Sequence, residues 1–82
     1  MKIRYFSWIK NITNIDIEEV DNKYIKDIES LKKFLTEKYP KLNEYLITND
    51  IIQIAVNLEY TSKNISISTH DEVALFPPVS GG

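Results

Sequence analysis

The sequence contains no cysteine and a single histidine, His70. Without cysteine the chain cannot form a disulfide, a thiolate metal ligand or a cysteine nucleophile. A single histidine also excludes a histidine-rich metal centre, so we expect no metal site. The two glycines are the last two residues, Gly81 and Gly82, which excludes a glycine-rich phosphate-binding loop as well.

Long apolar runs and excess positive charge are also missing. No segment approaches the roughly 18 consecutive apolar residues of a membrane-spanning helix, and the N-terminal segment alternates charged and bulky side chains, unlike a signal peptide. The net charge is −2, which offers no basic surface to nucleic acid. We therefore expect a soluble, cytoplasmic protein that binds neither a membrane nor nucleic acid.

The chain is short for an enzyme. It has 82 residues, of which 43% are hydrophobic and 27% charged, a composition typical of one globular domain. A domain of this size buries only about 60% of its unfolded surface, which leaves little room for both a core and a deep cavity. We expect the pairs Glu18-Glu19 and Asp71-Glu72 to be solvated surface charges, and His70 to be an exposed turn residue. The sequence thus predicts no active site made from side chains.

Alternating hydrophobic patterns predict two strands at the start of the chain. Residues 2–9 alternate with period two and predict the first strand. Residues 15–20 alternate again and predict an antiparallel second strand. Residues 10–14 form a polar break between them, where Asn14 can take a left-handed conformation.

A helix is predicted next, over residues 28–39. Asp27 is a favourable N-cap, and Pro40 ends the helix. The apolar positions share one helical stripe, which Phe34 widens: Ile28, Leu31 and Leu35.

The second half of the chain predicts further strands. Residues 51–60 predict a third strand with an inward row formed by Ile52, Ile54 and Val56, residues 61–72 a weak strand or turn, and residues 72–76 the last strand. A single helix that covers one sheet face indicates an α+β fold. This is the β-grasp, or ubiquitin-like, arrangement: a mixed sheet of four to five strands with one main helix on one face. Residues 1–76 would form this domain and residues 77–82 an extended tail.

The uncovered face of this sheet is predicted to carry aromatic side chains. If Val73 and Leu75 point into the core, alternation places Ala74 and Phe76 on the opposite face. The same parity places further residues there: Phe6, Trp8, Gln53, Ala55 and Asn57. Because such a face should be mostly polar, two hypotheses remain. Either a loop, or the chain after Tyr60, covers the aromatic residues, or they form a partner-binding patch beside the tail.

The last six residues are predicted to project from the domain. Pro77 and Pro78 favour an extended polyproline conformation, so residues 77–82 would reach about 18 to 20 Å. After Val79 and Ser80 come two residues without a Cβ. Such a tail can enter a narrow channel and deliver a terminal carboxylate to another protein's active site. The alternative is a frayed terminus.

A terminal carboxylate reacts only after activation. An acyl-adenylate would make Gly82 electrophilic, and a sulfur donor could then convert it into a thiocarboxylate. Because the chain lacks cysteine, sulfur carried covalently would be on this terminus.

The ending DEVALFPPVSGG is very similar to the C-terminal signature of the small subunits of molybdopterin synthase, a family of ubiquitin-like sulfur carriers in molybdenum cofactor biosynthesis. Three further segments resemble this family: RYFSWIK its first strand and turn, DIESLKKFLTEKYP its capped helix, and IAVNLEY its third strand. Some loop positions depart from the family. Lys10 replaces a usual arginine, and Asn14, Leu58 and His70 replace usual glycines.

The resemblance implies a sulfur carrier without a permanently bound cofactor. An E1-like adenylating enzyme would consume ATP to activate Gly82, and a sulfurtransferase would supply the sulfur. Within the large synthase subunit of a heterotetramer, the Gly82 thiocarboxylate would donate sulfur to cyclic pyranopterin monophosphate and form the molybdopterin dithiolene. The chain would then be no enzyme on its own but the sulfur-donating subunit.

The resemblance also implies which residues contact the partner. Phe76 occupies the family's partner-facing aromatic position, and the inserting tail comprises Pro77, Pro78, Val79, Ser80, Gly81 and Gly82. Phe6 is a further candidate contact on the open sheet face. Three alternatives remain open: a sulfur carrier for thiamin or cysteine biosynthesis, a ubiquitin-like modifier conjugated to lysines, and an interaction module with an incidental tail.

Overall fold

The computed structural model of the protein describes residues 1–21 and 23–78. The strands in this part of the chain are β1 (Lys2–Tyr5), β2 (Ile17–Glu19), β3 (Gln53–Val56), β4 (Glu59–Thr61) and β5 (Glu72–Phe76). The α-helices are α1 (Trp8–Thr13) and α2 (Ile28–Lys38). A 3₁₀ turn, Pro40–Leu42, and a π-helical turn, Glu44–Thr48, follow α2.

The strands form one mixed sheet in the order β2-β1-β5-β3-β4. The central strand β5 is parallel to β1 and antiparallel to β3. The edge strands β2 and β4 are each antiparallel to their neighbour. Parallel pairing of the first and last strands, with a helix packed on one face, is the β-grasp arrangement. The predicted fold class is therefore confirmed.

The hydrophobic core lies between α2 and the sheet. The predicted helical stripe is buried as a whole: Ile28, Leu31 and Leu35. It belongs to one cluster with the inward-facing residues of the central strands, among them Ile3, Ile54, Val73 and Leu75. Because burial of each large aliphatic side chain stabilises the fold by about 1.5–3 kcal/mol, this layer fixes β5 and its neighbours in register.

Helix α2 begins where the sequence predicts. The Asp27 carboxylate accepts a hydrogen bond from the Ser30 amide at 2.8 Å, and the Ser30 hydroxyl accepts one from the Asp27 amide at 3.0 Å. Together these bonds form a capping box. The helix ends at Lys38, one residue before the predicted end, and Pro40 starts the 3₁₀ turn instead of a further α-helical turn.

The first strand is shorter than predicted. It ends at Tyr5, and residues Trp8–Thr13 form a helix instead of a strand and polar break. Ser7 reverses the chain between the two elements, with φ 57° and ψ −136°. Asn14 has the predicted left-handed conformation, with φ 63°, and ends α1.

The prediction that Trp8 lies on the uncovered sheet face is wrong. Trp8 and Ile12, four residues apart, share one face of a strand as well as of a helix, and the tertiary contacts favour the helix. The indole of Trp8 packs edge-on against Tyr45, with ring centroids 4.9 Å apart. Ile9 is fully buried beside it in the core cluster.

The predicted third strand is a hairpin. Strand β3 ends at Val56, and the next two residues, Asn57 and Leu58, have φ of 51° and 70°, as a type I′ turn requires. The chain then returns as β4. The predicted inward row of Ile52, Ile54 and Val56 is buried.

The segment 62–71 does not form the predicted weak strand. It contains one isolated bridge, between Ser66 and Asp27, and it buries Ile67 in the core. The 3₁₀ and π-helical turns after α2, which the sequence did not predict, bury Leu42 and Leu46.

Candidate partner-docking face

The side of the sheet opposite α2, called the open face below, carries an apolar row. Ala74 in β5 has Arg4 of β1 and Ala55 of β3 as register neighbours. Arg4 is in turn opposite Ile17 of β2, and Ala55 is opposite Tyr60 of β4. These residues alternate with inward-facing ones, so a single row crosses all five strands, with Arg4 as its charged member.

Two phenylalanines lie beside this row, at the end where β5 leads into the tail. Phe76 is the last residue of β5, opposite Gln53, and is half-buried. Phe6 follows β1 directly, donates its amide hydrogen to the Leu75 carbonyl at 3.0 Å, and is 47% exposed. The structure thus brings Phe6 and Phe76 to adjacent positions where Pro77 leaves the sheet.

The chain after β4 does not cover the open face. Ile67 is buried with the core, and its amide donates a hydrogen bond to the Lys26 carbonyl at 2.8 Å. Asn64 Oδ1 accepts a hydrogen bond from the Glu29 amide at 2.9 Å. The segment therefore runs past the start of α2, on the other side of the sheet. The hypothesis that it covers the aromatic residues is wrong, and Tyr60 remains 60% exposed.

One ion pair lies within the apolar row and another lies beside it. Arg4 Nε donates a hydrogen bond to Glu72 Oε1 at 2.6 Å, and this bond lowers the pKa of the Glu72 carboxyl. Lys10 Nζ lies 3.5 Å from Asp16 Oδ1, and both residues line a shallow groove with Phe6. Apolar side chains interspersed with charged groups, arginine in particular, are common in protein–protein interfaces.

Ser7 holds Phe6 in a strained bend. Its φ of 57° with ψ −136° falls in a region that normally requires glycine and costs another residue about 1–3 kcal/mol. Neighbouring backbone bonds maintain the bend: the Tyr5 amide donates to the Asp16 carbonyl at 2.8 Å, and the Lys10 amide to the Ser7 carbonyl at 3.1 Å. Strain maintained in this way, beside an exposed aromatic side chain, is typical of binding sites.

The described part of the tail is short. Pro77 is half-buried and Pro78 is exposed, and no peptide bond of the described residues is cis. The remaining predicted site residues lie outside the described residues: Val79, Ser80, Gly81 and Gly82. Their roles stay predictions.

Comparison with known proteins assigns the chain to a family. A model of the ThiS family matches residues 3–82. The chain belongs to the ThiS family. A curated relative from Dictyostelium discoideum, named molybdopterin synthase sulfur carrier subunit, is 33% identical to this ThiS-family chain, over 99% of the chain and 94% of the relative. The resemblance found in the sequence is confirmed.

Solved structures share the fold of this ThiS-family chain. A chain in the complex of subunits 1 and 2 of the molybdopterin-converting factor from Helicobacter pylori has a TM-score of 0.69 and 28% identity, over 99% of our chain and 96% of its own length. The small archaeal modifier protein 1 from Haloferax volcanii has a TM-score of 0.80 and 22% identity, over 95% of both chains. The second likeness shows the fold alone.

Glu18 of this ThiS-family chain is not the solvated charge predicted from the sequence. It is 7% exposed, on the side of the sheet that faces α2. Its carboxylate accepts hydrogen bonds from the hydroxyls of Tyr5 and Tyr39, both at 2.8 Å, and from Lys38 Nζ. Burial acts to raise the pKa of Glu18, but the three hydrogen bonds outweigh it and lower the pKa. These hydrogen bonds connect β2 to β1 and to the C-terminal end of α2.

The turn before β5 is ordered by Asp71. Its Oδ2 accepts a hydrogen bond from the Ser68 amide at 2.7 Å and its Oδ1 one from Asn57 Nδ2 at 2.9 Å. The backbone hydrogen bond from Ser68, followed by that from Asn57, lowers the pKa of Asp71. His70 is exposed in this turn, as predicted. The turn lies at the end of β5 remote from Phe76.

The described part of the ThiS-family chain contains neither a candidate metal site nor a candidate membrane-spanning helix. Across residues 1–21 and 23–78, no group of three or more His, Cys, Asp and Glu residues could hold a metal ion. Within the same residues, every helix is too short or too polar to cross a membrane.

Three residues of the open face were not singled out from the sequence: Arg4, Ile17 and Tyr60. For Tyr60 a signal is present. The dipeptide Asn57-Leu58 lies between two β-prone segments, as in a tight hairpin, and such a turn places Tyr60 opposite Ala55. For Arg4 the alternation predicts a side chain that points away from the core. Its contact with Glu72 could not be predicted in this way, because it depends on the parallel pairing of β1 with β5.

Proposed function

We propose that this chain is the sulfur carrier subunit of a molybdopterin synthase. The observation that carries the proposal is the set of exposed apolar side chains on the open face, Phe6, Ile17 and Tyr60, beside the half-buried Phe76 where β5 leads into Pro77. An exposed apolar surface at this point can hold a partner protein at the start of the tail. The D. discoideum relative, a molybdopterin synthase sulfur carrier subunit, supports the same function.

The proposed chemistry takes place at the Gly82 carboxylate. On an E1-like adenylating enzyme, this carboxylate attacks the α-phosphorus of ATP, which forms the acyl-adenylate and releases pyrophosphate. The terminal sulfur of a sulfurtransferase persulfide then displaces AMP to give an acyl disulfide, and a thiol cleaves its S–S bond, which releases the thiocarboxylate and leaves a disulfide between that thiol and the sulfurtransferase. Donation of the sulfur to cyclic pyranopterin monophosphate, with water supplying the oxygen, regenerates the carboxylate. A dithiolene contains two sulfurs, so two carriers act in turn or from the two halves of a heterotetramer.

In this proposal the residues of this chain bind the large subunit and present the tail to it. Its buried carboxylate, Glu18, is engaged in a structural cluster, and Asp71 orders a turn at the remote end of β5. The pocket in which sulfur is transferred would therefore belong to the large subunit. Phe6 and Phe76 would contact this subunit, and Pro77 to Gly82 would enter it. The complex of subunits 1 and 2 from H. pylori supports such an assembly.

Reconstitution with a large synthase subunit tests the proposal. The protein is purified from its own cells, analysed by intact mass, and mixed with the large subunit and cyclic pyranopterin monophosphate. We expect a fraction in which one oxygen at Gly82 is replaced by sulfur, and loss of that sulfur as the dithiolene forms. Absence of the thiocarboxylate in cells that contain the activating enzyme would refute the carrier function.

The alternative functions give different results in the same experiment. A carrier for thiamin or cysteine biosynthesis would hold the thiocarboxylate but transfer no sulfur to the pterin precursor. A ubiquitin-like modifier would be recovered with Gly82 joined to lysines of other proteins. A plain interaction module would show neither product.

A further inference from the structure

Arg4 lies within the surface that the proposed partner would cover. Its register neighbours on the open face are Ile17 on one side and Ala74 on the other, so neither neighbour offers a hydrogen-bond acceptor on its side chain. The Arg4 side chain is 41% exposed. It is a cation in the middle of an apolar row, with Phe6 two residues further along the chain.

Glu72 orients the guanidinium of Arg4. The hydrogen bond from Nε to Glu72 Oε1 is 2.6 Å long. Among the described residues, the Arg4 side chain donates a hydrogen bond from Nε alone. Since a guanidinium has five N–H donors in a planar fork, the two Nη groups remain available for an acceptor outside the chain.

Docking on the open face would remove water from these Nη groups. A buried donor that loses water and gains no acceptor destabilises a complex. A carboxylate is the strongest side-chain acceptor for these Nη groups, because hydrogen bonds between two ionised partners are stronger than neutral ones. Within the sheet, Glu72 bonds to Nε of Arg4, and Glu19 lies opposite Lys2 on the edge strand.

We propose that the large synthase subunit presents an aspartate or glutamate carboxylate to the Nη groups of Arg4, and that this contact determines which partner the carrier accepts. The inference rests on the proposed function, because it requires that the large subunit covers the open face. A planar guanidinium binds a carboxylate through two parallel hydrogen bonds. A partner with an apolar or basic residue at this position would leave Arg4 buried without an acceptor and would be rejected.

Binding of the large synthase subunit to the full chain tests this inference. The dissociation constant is measured by calorimetry at low and high salt for the wild type, Arg4→Leu and Arg4→Lys. We expect Arg4→Leu to weaken binding about 10- to 100-fold at low salt and less at high salt. Arg4→Lys keeps the charge but not the fork and should lie between the two. Lys33→Leu removes an exposed cation from α2, on the other side of the sheet, and should weaken binding less than about threefold.

The outcomes separate this inference from the proposed function. A wild-type chain that does not bind the large subunit would overturn both. A wild-type chain that binds, with Arg4→Leu binding equally or more tightly, would overturn only the role of Arg4. An affinity loss in Arg4→Leu that is the same at both salt concentrations would identify a neutral acceptor and overturn the carboxylate. Thermal midpoints of all variants, measured alongside, show that each is folded in the assay.

Discussion

Phe76 is the last residue of β5 and lies where the sheet leads into the tail. Its backbone pairs with Gln53 in the sheet, while its half-buried side chain lies on the open face next to Pro77. We expect Phe76→Ala to weaken binding of the large synthase subunit by about 2 kcal/mol, or roughly 30-fold, because aromatic side chains at interface centres behave as hot spots. Calorimetric titration measures the change.

Phe34→Ala is a matched control for Phe76→Ala. Phe34 is also half-buried, but it belongs to α2 and packs against the core. Both substitutions should lower the thermal midpoint, and only Phe76→Ala should change the affinity. Equal affinities for the two variants would contradict a docking role for Phe76.

Single residues also show which details can be predicted from local sequence. The left-handed Asn14 was predictable because asparagine tolerates that region. The positive φ of Ser7 was not, since serine has no such preference and hydrogen bonds from other segments maintain the bend. The burial of Glu18 was not predictable either, because its partners Lys38 and Tyr39 lie 20 and 21 residues further along the chain.

At the scale of elements, local signals explain the successful predictions. Strand β5 has the predicted bounds, Glu72–Phe76, and α2 follows its predicted cap at Asp27. Both have a regular hydrophobic period and a clear boundary residue. Helix α1 and strand β4 are short, and their patterns fit more than one structure. For α1 a contact distant in sequence decides, the packing of Trp8 on Tyr45, whereas β4 depends on its local hairpin with β3.

The β3–β4 hairpin contains a residue unsuited to its turn. Leu58 has φ 70° and is 92% exposed, so it has the strain of a left-handed conformation without any compensating burial. We expect Leu58→Gly to raise the free energy of unfolding by about 0.5–1 kcal/mol, because glycine adopts positive φ without strain although it costs more chain entropy. Urea denaturation at constant pH measures the difference.

Leu58→Ala separates backbone strain from side-chain exposure. Alanine removes most of the exposed apolar surface but retains the Cβ that opposes positive φ. Its free energy of unfolding should stay close to that of the wild type. If Leu58→Ala stabilised the protein as much as Leu58→Gly, strain at this turn could not be the cause.

At the scale of the whole molecule, stability depends on ionised carboxylates. Hydrogen bonds lower the pKa of four carboxyls: Glu18, Asp27, Asp71 and Glu72. At Glu18 burial acts to raise the pKa, and the hydrogen bonds outweigh this effect. A folded-state pKa below the unfolded value stabilises the fold above the unfolded pKa, and the contribution disappears as pH falls through the folded-state pKa. For Glu18 the ordinary value is 4.5. The free energy of unfolding should therefore decrease as the pH falls below about 5.

Glu18→Gln tests the largest expected part of this pH dependence. Loss of the charged acceptor for Tyr5, Tyr39 and Lys38 should lower the free energy of unfolding by about 2 kcal/mol near neutral pH. The difference from the wild type should shrink in acid, where Glu18 is protonated in both states. Urea denaturation across the pH range measures this, with Glu37→Gln, an exposed position of α2, as control. A difference that is independent of pH would exclude Glu18 as a source of the acid sensitivity.

We expect a change in the tail to abolish sulfur transfer without altering the stability of the folded domain. Among the described residues, the core cluster extends no further along the chain than Leu75, so deletion of Gly82 should shift the thermal midpoint by less than about 1 °C. The same deletion should abolish sulfur transfer, because the terminal carboxyl would then end about 3.3 Å short of its position in the partner. Ser80→Ala keeps the tail length and should retain transfer. Sulfur transfer by the shortened chain would remove Gly82 from the mechanism, and a large melting shift would show that the tail supports the domain.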